Sequence, residues 1–71
     1  MTGNNNGGSM VDRFQRRTCL EALKRKGAMT LEDVSLWTRL SIAETERHLN
    51  SLVKDHLVIQ QGNKFRADVV S

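Results

Sequence analysis

Along the chain, apolar residues recur at helical spacing in three blocks and then alternate. In the first block, Val11 to Lys26, Phe14, Cys19, Leu20 and Leu23 can share one side, with Thr18 and Ala22 filling gaps and Arg13, Arg16 and Arg17 outside. Asp12 in the first turn and Lys24, Arg25 and Lys26 in the last suit the helix dipole, and Gly27 supplies a left-handed stop. After the extended link Ala28-Met29-Thr30, the pair Thr30 and Asp33 has capping-box spacing, and Leu31, Val34, Ser35 and Thr38 line one side of a shorter helix. Arg39 and Leu40 make a tight turn. Ser41 and Glu44 then form a stronger Ser-x-x-Glu box, opening a helix to Lys54 with Thr45, Leu49, Leu52 and Val53 inward.

Asp55-His56 ends that helix, and the period drops to two. Leu57 to Gln60 and Lys64 to Val69 read as strands of a hairpin. A three-residue loop, Gln61-Gly62-Asn63, sets Ile59 opposite Phe65 and Leu57 opposite Ala67, with Asn63 at positive φ. A two-residue Gly62-Asn63 turn would oppose Gln60 to Phe65 and scatter the apolar residues, so the longer loop is the expected one.

Residues 1–10 have no apolar periodicity and hold three of the five glycines. They cannot bury enough surface to offset their ordering entropy, so they read as a disordered tail before a domain over 11–69. Met10 offers an alternative start that leaves the domain intact. The 71 residues allow one small core, burying only about 60% of the unfolded surface. The net charge of +3 favours a polyanionic partner without naming one. One cysteine, Cys19, excludes an internal disulfide and a cysteine-rich zinc site, and suits a small buried hydrophobe. No apolar run is long enough to span a bilayer and no signal peptide is visible, so the expected setting is cytoplasmic, away from membranes.

Helix, short strand, helix, tight turn, helix, then a β-hairpin resembles a winged helix-turn-helix DNA-binding domain. The resemblance rests on Thr30-Leu31-Glu32-Asp33-Val34-Ser35, Leu40-Ser41, Thr45-Glu46-Arg47-His48-Leu49, Leu52 and Leu57-Val58, and covers roughly residues 14–67. It implies a mostly helical α+β fold, three helices with a hairpin wing and a short strand between the first two helices. It further implies a transcriptional regulator that binds double-stranded DNA, with the third helix in the major groove and the wing on the backbone or minor groove. Such a protein would be nucleoid-associated when bound, with a homodimer or a partner regulator as companion, since one domain reads only a short half-site. Two positions depart from that pattern: His56 and Arg39 stand where the family often has glycine.

On this reading the third helix presents Ala43, Glu44, Arg47, His48, Asn50, Ser51 and Lys54. The fork of Arg47 suits guanine O6 and N7; Asn50 and Ser51 suit bases or phosphates, and Lys54 a phosphate. Glu44 and Glu46 oppose phosphate binding, which favours selective contact over strong electrostatic grip. Gln61, Asn63, Lys64 and Arg66 on the hairpin can reach the backbone, although charges on an outer strand also discourage aggregation.

Leu36 and Trp37 lie off the inward side of the second helix. Leu36 is expected to meet a partner, and Trp37 to fold down over the first helix or the hairpin. An alternative function is therefore a winged-helix protein-interaction module, contacting through Leu36, Trp37 and the acidic part of the third helix. Structured RNA is a third option. No cofactor or metal is expected, because His48 and His56 are eight residues apart and no paired ligands or glycine-rich phosphate loop occur. A chain this short is also expected to lack a small-molecule cleft, and no enzyme constellation is present.

Overall fold

The structure, a computed structural model, describes residues 10–68. The tail read over residues 1–10 lies outside them except for Met10, which opens the first helix, and Val69 lies outside them too. The elements run α1 (Met10–Lys26), β1 (Met29–Thr30), α2 (Leu31–Thr38), α3 (Ile42–Lys54), β2 (Val58–Gln61) and β3 (Lys64–Ala67). Three helices thus pack with a small antiparallel sheet of strand order β1-β3-β2, a mostly helical α+β fold.

Each helix stops where the backbone turns left-handed. Gly27 (φ 85°) donates its N–H to the Leu23 carbonyl at 2.9 Å, and Arg39 (φ 64°) donates to Ser35 at 2.8 Å. At the end of α3, His56 (φ 63°) donates to Val53 at 3.0 Å and Leu57 to Leu52 at 2.9 Å. That pair of bonds is a Schellman motif with histidine in the usual glycine position. Arg39 holds the left-handed corner between α2 and α3 in the same way. Left-handed geometry costs an L-residue about 1–2 kcal/mol. Because glycine gives back part of that in unfolded-chain entropy, His56→Gly is expected to raise stability by about 0.5–1 kcal/mol, read from the midpoint of a urea unfolding curve.

The starts are capped as the sequence indicates. Thr30 Oγ1 accepts the Asp33 N–H at 3.2 Å. Ser41 Oγ accepts from the Glu44 N–H at 3.1 Å, and the Glu44 carboxylate accepts from the Ser41 N–H at 3.3 Å. The α2–α3 corner is tied further by the Ser35 hydroxyl, which donates to the Leu40 carbonyl at 2.6 Å.

The core is formed by Cys19, Ala22 and Leu23 of α1, Met29 of β1, Val34 of α2, Leu49 and Leu52 of α3, and Val58 and Phe65 of the sheet. Thr45 is fully buried with them, its hydroxyl donating to the Ser41 carbonyl at 2.8 Å. Burial pushes the Cys19 thiol up to about 11, so it stays protonated and packs as a small apolar group.

Two expectations are corrected here, and a third in part. The hairpin closes with the two-residue Gly62-Asn63 turn, pairing Gln61 with Lys64, Gln60 with Phe65, Ile59 with Arg66 and Val58 with Ala67. Positive φ falls on Gly62 (62°) and not on Asn63, the pattern of a II′ turn. The apolar residues are not scattered, because β3 is the central strand and Phe65 finds Met29 of β1 on its other side. Phe14 is 72% exposed, since Gln15, Cys19, Ala22 and Leu23 already define the inward arc of α1. Trp37 lies against the end of α1 through the Lys26 ammonium, as expected, but at 53% exposed it adds nothing to the core, which Met29, Val34 and Phe65 close without it.

Candidate nucleic-acid interface

Packing of α3 against α1, α2 and β2 decides which of its polar residues remain outward. Ala43, Arg47, Asn50 and Lys54 succeed one another at steps of four, three and four, and all are exposed. They form one stripe opposite the buried Thr45, Leu49 and Leu52, with Glu46 exposed at its border. The other three residues read from the sequence as outward are turned elsewhere.

Glu44 is half-buried and occupied in the capping box. Ser51 is half-buried and accepts a hydrogen bond from Arg16 Nε at 3.2 Å. His48 is only 2% exposed, with Nε2 3.0 Å from Gln15 Oε1 on α1, which corrects its placement on the open face. Its position was legible: it follows Thr45 by three and precedes Leu52 by four, inside the buried arc. A buried imidazole cannot reach an external duplex.

The His48 pKa is lowered from the ordinary 6.5, first by burial and then by the neighbouring Arg47 charge, so the ring packs neutral. The unfolded chain takes up the imidazole proton before the folded one, so stability is greatest above the ordinary value and falls as acid is added through and below it. Urea midpoints measured from about pH 7.5 to about 5 are expected to decline in the wild type, and to decline less in His48→Gln, which cannot titrate there.

The seam between α1 and α3 is a ladder of polar pairs. Arg47 Nη1 and Nη2 donate to the two Asp12 carboxylate oxygens at 3.4 and 3.3 Å. One turn along, Gln15 meets His48, and Arg16 meets both Ser51 and the Asp55 carboxylate. Arg16 therefore belongs to the helix–helix contact and not to the outward cluster with Arg13 and Arg17. By contrast, Lys54, Lys64 and Arg66 make no ion pair among the described residues.

On the hairpin, Gln61, Asn63 and Lys64 are exposed at the tip. Arg66, two residues beyond, lines a groove of about 400 Å³ with Leu23, Lys24, Gly27, Ala28 and Ala67 at the foot of α1. The four hairpin residues are thus divided between the tip and the body of the fold.

Two apolar surfaces lie elsewhere. Leu36 is 78% exposed and, with Lys26, Met29, Asp33 and Trp37, lines an open groove of about 480 Å³, where the Lys26 ammonium sits 4.6 Å from the centre of the Trp37 ring. A second groove of about 460 Å³ is lined by Met10, Val11, Phe14, Gln15, Thr18, Thr38 and Leu40. Both grooves are open and few polar groups converge on them, unlike the enclosed clefts that hold small ligands. Among the described residues no cluster of three or more His, Cys, Asp or Glu could hold a metal ion, and no helix is long and apolar enough to cross a membrane. In comparisons with known proteins, no family model, curated protein or solved structure matches this chain.

Proposed function

We propose that this protein binds double-stranded DNA as a winged helix-turn-helix regulator and is not an enzyme. The observation that carries the reading is the outward stripe Ala43-Arg47-Asn50-Lys54, which packing leaves open on a helix capped at both ends and entered through a tight corner. A helix of this width enters the major groove, where an arginine fork suits guanine, an asparagine amide suits adenine and a lysine suits a phosphate. Lys64 at the hairpin tip, with Gln61 and Asn63, supplies a second contact on the backbone. With only Lys54 and Lys64 outside ion pairs on the stripe and hairpin tip among the described residues, one domain holds a half-site weakly, and a second copy or a partner regulator completes the site.

Fluorescence anisotropy with random and genomic duplexes at low salt tests this, with structured RNA as competitor. Saturable duplex binding that RNA does not displace is expected. Binding that RNA displaces preferentially would transfer the surface to RNA.

A second reading is favoured by one observation: Leu36 and Trp37 are exposed side by side on a groove. Exposed aromatic and aliphatic neighbours of this kind mark protein contacts. Under that reading the duplex leaves the chain unaffected, and Leu36→Ala with Trp37→Ala abolishes the protein's interactions.

A further inference from the structure

We propose that Asp12 is a positioning residue for Arg47, taking one edge of its guanidinium and leaving the other for a base; this rests on the DNA-binding reading above. Asp12 stands in the first turn of α1, where the helix dipole favours a carboxylate. It meets Arg47 end-on, each terminal nitrogen donating to a different carboxylate oxygen, at 3.4 and 3.3 Å. The Gln15–His48 contact and the Arg16 contacts to Ser51 and Asp55 lock α1 against α3, so the carboxylate is fixed relative to the stripe. Arg47 remains 55% exposed while Asp12 is 26% exposed, so the guanidinium is the outer partner of the pair.

Two consequences follow from the chemistry of the fork. A guanidinium has five N–H donors in one plane, and end-on pairing takes one from each terminal nitrogen. The side edge, Nε–H with one terminal N–H, stays available, and two parallel donors are what guanine O6 and N7 accept. Meanwhile the carboxylate cancels the charge that would draw Arg47 to any phosphate. Asp12 thereby exchanges non-specific grip for orientation toward a base edge.

The test uses the full chain and the variants Asp12→Asn, Asp12→Glu and Asp12→Asn with Arg47→Gln. Arginine side-chain NMR reads the grip without any nucleic acid. Slowed rotation of the Arg47 guanidinium is expected in the wild type and Asp12→Glu, and free rotation in Asp12→Asn. On duplexes, Asp12→Asn is expected to bind random sequence about fivefold to tenfold more tightly, and to steepen the salt dependence by about one in log–log slope. Its preference for a selected site should fall, Asp12→Glu should restore it, and Arg47→Gln on the Asp12→Asn background should remove the gain.

An Arg47 signal unchanged by Asp12→Asn would overturn the inference outright. So would a uniform loss of binding to every duplex, with the salt slope unaltered. A wild type that binds no duplex would defeat the DNA reading and the base-facing half of the inference, leaving the NMR result to decide the grip.

Discussion

Replacing Leu49 with alanine is expected to unfold a large fraction of the molecules at room temperature. Leu49 is fully buried on α3, the helix that packs against α1, α2 and β2 at once. Truncating a buried leucine typically costs about 2–5 kcal/mol, the removed methyl groups and the residual cavity both contributing. A domain of this size has roughly 3–9 kcal/mol of stability in total, at about 0.05–0.15 kcal/mol per residue. The loss is thus comparable with the whole. Far-ultraviolet circular dichroism with urea titration reads it directly. Ala43→Ser, on the exposed stripe of the same helix, should leave the curve within about 0.5 kcal/mol of wild type. A Leu49→Ala protein as stable as wild type would mean that α3 is not the central packing element.

The largest functional effect is expected from Lys54→Ala combined with Lys64→Ala. These lysines are exposed at the end of α3 and at the hairpin tip, and neither is neutralised by a carboxylate among the described residues. Each phosphate contact releases about 0.9 counterion, which at 0.1 M salt amounts to about eightfold in affinity. Loss of both is therefore expected to weaken duplex binding by roughly 10–60-fold and to lower the log–log salt slope by about two. Removing Arg17, exposed on α1 away from the stripe, should change neither quantity. A double variant with the wild-type slope would remove the helix end and the hairpin from the interface.

What the sequence made legible follows the range of the interactions concerned. Thr30 with Asp33, Ser41 with Glu44, and the stop at Gly27 are local, so their residues announce them. The left-handed His56 was legible for the same reason: the helix must turn between Lys54 and the strand, and no glycine is at hand. The hairpin register was not legible, because the choice between a two- and a three-residue turn depends on what else flanks β3. Only the pairing of Met29 with Phe65, made by a strand on the far side of α2 and α3 in sequence, gives the shorter turn its apolar partner.

The candidate interface divides in the same way. Helical period alone separates Ala43, Arg47, Asn50 and Lys54 from the buried arc, and applied strictly it would have buried His48. Phe14 looked inward because it is large and apolar, yet the inward arc of α1 was already full. The pairing of Asp12 with Arg47 spans 35 positions and belongs to the α1–α3 contact, so no local pattern announces it. In the proposed reading, that pair sets whether Arg47 acts as a loose cation or as an oriented fork.

The central claim is that the stripe on α3 and the hairpin tip together meet a DNA duplex. Chemical-shift mapping of the labelled chain against a short duplex at low salt tests it most directly. The expected result is a continuous set of shifted amides at Ala43, Arg47, Asn50 and Lys54 and at Gly62 to Lys64, with Leu36 and Trp37 unmoved. Shifts absent from the stripe at saturating duplex, or confined to the Leu36–Trp37 groove, would contradict it.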